Sequence, residues 1–147
     1  MMETVRDILE GKGHAVYSLP PEASVYDAIA LMADKGIGAV LVMKEGRLAG
    51  IVSERDYARK VILKGKLSKE TRLDEVMTSP VIIVGPDQTV DECMRIVTDR
   101  RIRHLPVLDG DKVVGMVSIG DLVRAIIAAQ EATIHQLHNY IAGSYPG

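Results

Sequence analysis

Apolar positions fall into short runs and helical stripes, and the same succession of patterns occurs twice along the chain. Residues 16–19 and 81–84 are short apolar stretches stopped by Pro20-Pro21 and Gly85-Pro86, which predicts two short strands. Ser24 with Asp27, and Thr89 with Glu92, set a hydroxyl three residues ahead of a carboxylate. This capping-box spacing opens predicted helices that run to Lys35 and Arg100. Two β-rich runs follow, residues 39–43 and 48–52, joined by Lys44-Glu45-Gly46-Arg47. In the second copy residues 104–108 and 113–117 flank Asp109-Gly110-Asp111-Lys112, so both copies predict hairpins. A further helix is predicted after Ser53 and another after Ser118.

The two copies stand at a fixed offset of 65 residues, from Asp56 to Asp121. That shift lays Val16 on Val81, Pro21 on Pro86, Val25 on Val90, Ile37 on Ile102, Val42 on Val107 and Arg59 on Arg124 without a gap. Residues 5–9 align with residues 73–77 only across an insertion around residues 10–14. Residues 1–64 then form the first repeat with its N-terminal segment, 65–71 a polar linker, 72–130 the second repeat and 131–147 a helical extension and tail. Each repeat reads strand, helix, strand, strand, helix. One copy is too small to cover both faces of its sheet, so the predicted fold is α/β: two repeats packed sheet to sheet about a pseudo-twofold axis, plus a C-terminal helix.

Composition narrows the function classes. Aromatic residues are only 3% of the 147, with no Trp or Phe, so the core must be built from aliphatic side chains and Met. Base-stacking surfaces for RNA or single strands are disfavoured. A net charge of −2 gives no reason to expect nucleic acid or an anionic membrane as partner. Cys93 is the one cysteine, which excludes an internal disulfide and points to a reducing compartment. The N-terminal residues lack a signal-peptide core, and no apolar run approaches the roughly 18 residues of a membrane span. A soluble, cytoplasmic protein is expected.

The most informative motif is Gly-apolar-Val-Ser-x-x-Asp, present as Gly50-Ile51-Val52-Ser53-Glu54-Arg55-Asp56 and Gly115-Met116-Val117-Ser118-Ile119-Gly120-Asp121. A serine that ends a strand and opens a helix sits among the free N–H groups of the first turn, where anions are favoured. An aspartate three residues on shares that side, and its two oxygens suit a vicinal diol such as ribose. The tetrapeptide alone is also an ordinary capping box, as Ser24-Val25-Tyr26-Asp27 illustrates. Its recurrence after Gly-apolar-Val, beneath the same hairpin in both copies, is what favours a binding role.

With Leu105-Pro106-Val107 before an Asp-Gly turn, and Met77-Thr78 ahead of the second copy, the pattern resembles a tandem pair of cystathionine β-synthase (CBS) domains, the Bateman module. The resemblance implies two clefts between the repeats that bind adenine nucleotides: AMP, ADP, ATP or NAD(H). In the first cleft Asp56 would hold ribose, with Ser53 and Arg55 at sugar or phosphate and adenine against Thr78, Ile82 and Ile102-Arg103-His104. In the second, Asp121 would hold ribose beside Ser118 and Gly120, with adenine against Tyr17 and Ile37-Gly38-Ala39. The copies differ in that Gly38-Ala39 corresponds to Arg103-His104 and Arg55 corresponds to Gly120, so the two sites should be unequal. Arg100 and Arg101 read equally well as phosphate contacts or as the solvated end of a helix.

Remaining candidates are weaker. His135 and His138 have helical spacing, but no further ligand completes a metal site, and no metal is expected. Cys93 falls in an apolar stripe and reads as an inert core residue. Gly36-Ile37-Gly38 lacks the third glycine of a dinucleotide turn. Val123, Ile127, Gln130, Ile134, Leu137 and Ile141 form a seam at steps of three and four on a helix from Ile119 to about Ala142. A homodimer is the simplest cover for that seam, packing back onto its own domain being the alternative. The expected function is a regulatory nucleotide sensor with no catalytic residues, acting on an effector protein or on its own partner subunit. The alternatives are a dimerisation module with vestigial clefts and, less favoured, a nucleotide hydrolase using His104 and Glu54.

Overall fold

The structure is a computed structural model that describes residues 3–144, with side chains to residue 141. The chain opens with helix α1 (Val5–Lys12), capped by Thr4, whose hydroxyl accepts from the Asp7 N–H. The first unit then runs through β1 (Ser18–Leu19), α2 (Val25–Lys35), β2 (Ala39–Lys44), β3 (Arg47–Ser53) and α3 (Glu54–Asp56). A π-helical segment, Tyr57–Ile62, continues α3. The second unit holds α4 (Leu73–Val76), α5 (Val90–Arg100), β4 (His104–Asp109), β5 (Lys112–Ser118) and α6 (Ile119–Ser144). Both predicted hairpins form, β2–β3 and β4–β5, each antiparallel and each with a bulge at the same repeat position.

The repeats are less alike at the strand that precedes each long helix. In the first unit β1 pairs parallel with β2, assisted by the Leu41 N–H bonding to the Tyr17 carbonyl at 3.0 Å. Residues 81–84, expected as a strand, contribute only one bridge, Val84 to Val107. The reason lies in the partner strand. Pro106 occupies the position of Leu41 and has no N–H to give Ile82, so the ladder stops after one residue.

The two hydrophobic cores cross over. Val5, Ile8 and Leu9 of α1 are buried with Val90, Cys93, Val97, Leu105 and Leu122 of the second unit. Leu73 and Val76 of α4 are buried with Val25, Ala28, Met32 and Val52 of the first. Matching backbone bonds fix both helices. Val90 N–H reaches Glu3 C=O at 3.0 Å and Val25 N–H reaches Thr71 C=O at 2.8 Å. The approach is close enough that a Cβ on Gly115 would lie 2.7 Å from Leu9 Cδ2, and one on Gly50 would lie 2.8 Å from Met77 Cγ. The glycine that leads each motif is therefore a packing requirement of the crossed helix.

The helix after Ser118 is much longer than that after Ser53. Its 26 residues span about 39 Å at 1.5 Å per residue. Leu122 and Ala125 anchor it in the second core, whereas Ile127, Ile134, Leu137 and Ile141 are 47 to 66% exposed. The apolar seam is thus largely uncovered, with Gln130 and Ile134 bordering a groove against Glu3, Val90 and Asp91 of its own domain. Among the described residues, no helix is long and apolar enough to cross a membrane.

Candidate functional site

The turn that ends β3 is built by its own sequence. Ser53 is extended and caps α3, its N–H and hydroxyl donating to Asp56 Oδ2 at 2.8 and 3.1 Å. Asp56 Oδ1 is 3.1 Å from Lys60 Nζ, one helical turn on. A carboxylate offers about four lone-pair positions, and three donors occupy Asp56, leaving one acceptor position for a ligand. The capping reading and the binding reading are therefore compatible, since the cap fixes the carboxylate without filling it.

This turn forms one wall of a cavity of about 580 Å³ between the two units. Every residue assigned from sequence to the first cleft lines it: Ser53, Arg55 and Asp56 from the first unit, and Thr78, Ile82, Ile102, Arg103 and His104 from the second. Of the residues assigned to the second cleft, Gly38, Ser118 and Gly120 open onto this same cavity. Tyr17, Ile37, Ala39 and Asp121 do not line it. Ala39 is buried in its strand, and the Tyr17 ring lies under Lys35 Nζ, 5.5 Å from its centroid.

Asp121 is more enclosed than its counterpart, at 7% exposure against 15%. Ser118 N–H and hydroxyl donate to its Oδ2 at 2.8 and 3.0 Å, Lys12 Nζ approaches the same oxygen at 2.7 Å, and Arg124 takes Oδ1 at 2.7 Å. Burial pushes this carboxyl up, but the Lys12 and Ser118 bonds together hold it below the ordinary carboxylate range. Lys12 was not identified from sequence as a site residue.

Cations outnumber carboxylates on the cavity wall. Arg55, Arg59, Lys60, Arg101 and Arg103 line it together with Glu54 and Asp56, and Arg55 spans the units by donating to the Arg101 carbonyl at 3.2 Å. Arg101 holds φ 54°, at the helix end where the first repeat has Gly36 at φ 63°. A left-handed arginine is strained by about 1 kcal/mol or more, so the chain bears a cost to keep a guanidinium here. Burial holds the His104 imidazole below its ordinary value, with Glu54 pulling the other way. Gly38 permits this closeness, because a Cβ there would lie 3.3 Å from His104 Nε2 and 3.4 Å from Glu54 Oε1.

Elsewhere the chemistry is quiet. Cys93 is fully buried, and burial pushes its thiol up to about 11. His135 Nε2 lies 3.2 Å from Asn139 Nδ2 on the exposed face of α6. Among the described residues, no three His, Cys, Asp or Glu side chains converge as a metal group would require.

Known proteins share this architecture. The mitochondrial CBS domain-containing protein CBSX3 of Arabidopsis thaliana is 39% identical over 97% of this chain and 73% of its own length. A solved structure of a CBS-domain protein from Burkholderia ambifaria, which its description links to signal transduction, is 54% identical with a TM-score of 0.83. That match covers 86% of this chain and 96% of the other. The CBS domain pair of protein MJ0100, solved with 5′-methylthioadenosine and S-adenosyl-L-methionine, is 26% identical with a TM-score of 0.79, covering 88% of this chain and 99% of that one. The family model described as "CBS domain" matches residues 5–63 and again residues 73–128, the two units whose cores exchange helices. On that double match and that shared fold, the chain belongs to the CBS-domain family as a tandem pair.

Proposed function

We propose that this chain is a regulatory sensor that binds an adenine nucleotide in the cavity between its repeats and catalyses no reaction. The observation that carries the reading is the Asp56 carboxylate, held by its cap with one acceptor position left, in a cavity of about 580 Å³ walled by both repeats. That volume lies within the roughly 300–1,000 Å³ of small-molecule sites. The adenosine moieties bound by the MJ0100 pair support ribose and adenine as the shared element.

Charge refines the ligand class. Five Lys and Arg side chains against two carboxylates favour a phosphate chain over an uncharged thioether or a sulfonium, so AMP, ADP, ATP or NAD(H) fits better than the MJ0100 ligands. Aliphatic Ile82 and Ile102 would sandwich adenine, in keeping with a chain of few aromatics. Occupancy stabilises one orientation of the two units, and that orientation is read by an effector protein or by a second copy. The exposed seam of α6 supports a homodimer. One buried thiol and no other cysteine accord with a reducing compartment such as the cytoplasm.

Calorimetric titration of AMP, ATP and NAD into the wild type and Asp56→Ala tests the reading. A hydrogen bond to a charged group is worth about 1.5–3 kcal/mol, so the variant should bind about ten- to a hundredfold more weakly. Equal affinities would overturn the assignment. Turnover of ATP or NADH by purified protein would overturn the non-catalytic part.

A further inference from the structure

The two motif aspartates are nearly identical in their own turns and differ in what the rest of the chain brings to them. Asp56 receives Lys60 from its own helix, four residues away. Asp121 has alanine at the matching position, Ala125, and receives Lys12 from the C-terminal end of α1, 109 residues away. Lys12 Nζ lies 2.7 Å from Asp121 Oδ2 and donates at 2.9 Å to the Met116 carbonyl.

The second bond locates the ammonium within the repeat. Met116 corresponds to Ile51, whose carbonyl accepts the Thr78 N–H at 2.9 Å on the wall of the open cavity. The Lys12 ammonium thus stands in the second cleft where the first has the backbone of that wall. Ser118 supplies two donors to Asp121 Oδ2 and Lys12 a third, while Arg124 takes Oδ1, so Asp121 carries four donors where Asp56 carries three. A ribose diol at Asp121 therefore competes with one more donor than at Asp56, and that donor is the Lys12 ammonium on the oxygen the serine already holds.

Lys12 is tied into the cleft by more than its charge. Past Gly13, at φ 99°, His14 Nδ1 lies 2.8 Å from the Val114 carbonyl, and the strap continues to Tyr17, the ring assigned from sequence to the second cleft. Lys12 and Asp121 also act electrostatically on His104, a wall residue of the first cavity.

We infer that Lys12 is a built-in occupant of the second cleft, so that the chain binds one nucleotide, at Asp56, and admits a second only when the Lys12 strap leaves Asp121. This inference rests on the nucleotide reading of the first cleft and adds to it which residue makes the clefts unequal. Displacing Lys12 moves the strap that joins α1 to β1, giving the second cleft a mechanical link that the first lacks.

Titration with ATP reads the stoichiometry directly. Wild type should bind one equivalent and Lys12→Met two, the second cleft gaining at least tenfold in affinity, whereas Lys12→Arg, which keeps the cation, should stay at one. In an Asp56→Ala background, binding should weaken about ten- to a hundredfold with Lys12 present, and Lys12→Met should restore one tight equivalent. Two equivalents on the wild type, or one on Lys12→Met, would overturn the lock while leaving the nucleotide reading intact. No binding by wild type and Lys12→Met would overturn both. A measurement without substitution checks the contact itself: in ligand-free wild type, acetylation should be slower at Lys12 than at exposed Lys64 and Lys66, and equal rates would overturn the lock.

Discussion

Gly115 sits at the crossing of β5 and α1, and replacing it with Ala tests whether the exchanged helices hold the module together. The added methyl would meet Leu9 Cδ2 at 2.7 Å, Cδ1 at 2.8 Å and Cγ at 3.3 Å. Carbon pairs are most favourable at about 3.5–4.0 Å, so both branches of the leucine are overrun by nearly 1 Å. Rotating Leu9 trades one clash for the other, and at 1% exposure it has no free space to retreat into. Overpacking of this kind costs about 1–3 kcal/mol, less roughly 0.4–1 kcal/mol regained because Ala narrows the unfolded ensemble. A net loss of about 1–2 kcal/mol should lower the urea midpoint at constant m-value and the melting temperature by about 2–8 °C. Leu9→Ala alone should cost about 2–5 kcal/mol, yet in that background Gly115→Ala should become neutral or favourable, because the methyl then fills vacated space. Gly11→Ala, with nothing within 4 Å, serves as the control and should not destabilise. Effects of Gly115→Ala and Leu9→Ala that add within about 0.5 kcal/mol would refute the crossed packing.

Two further outcomes follow from the cavity wall. Because burial depresses the His104 imidazole, the unfolded chain binds its proton at higher pH than the folded chain does. Stability is then full above the unfolded value near 6.5 and falls as pH drops toward the folded value; the groups around the ring are Glu54, Arg103, Lys12 and Asp121. Urea midpoints at about pH 7.5 and 5.5 should differ more for wild type than for His104→Gln, and equal differences would contradict the shift. Arg101→Gly should relieve the left-handed strain, raising stability by about 1 kcal/mol while weakening phosphate-bearing nucleotides more than adenosine. A melt showing no gain would refute the strain, and equal loss for adenosine would refute the phosphate role.

Much of the fold is legible in the sequence because its signals are local. The capping pairs Ser24 with Asp27 and Thr89 with Glu92 start α2 and α5 where expected, and the turns at Gly46 and Gly110 place both hairpins. The repeated motif made the resemblance to CBS pairs visible, and the eight residues that the resemblance implied for the first cleft all line one cavity. What stays hidden depends on long-range placement. Residues 81–84 look more strand-like than 16–19, yet the missing N–H of Pro106, 22 positions past Val84, decides their pairing. The matching composition of residues 5–9 and 73–77 is visible, but not that each segment packs in the other unit's core. Lys60 could have been found from its i, i+4 spacing to Asp56. Lys12 could not, since its partner lies 109 residues away across that exchange.

The crossed cores also constrain how a bound nucleotide could be read. Separating the units would expose α1 and α4 at once, so occupancy must act through small changes in how intact units are set against each other. A ligand can bias only elements it contacts differently in two states. Ser118, which precedes α6, and Ile119 and Gly120 at its start line the cavity, while the same helix, about 39 Å long, carries the exposed seam further along. One rigid element therefore joins the cavity to the surface best suited to a second copy. Ile134→Glu, at a seam position 66% exposed, should abolish self-association in sedimentation velocity without changing nucleotide affinity at Asp56. Wild type should show a nucleotide-dependent shift in its association constant, and by linkage its nucleotide affinity should depend on protein concentration while that of Ile134→Glu does not. Concentration-independent affinity in a wild type that does self-associate would show that the seam and the cavity are energetically separate, and that α6 carries no signal.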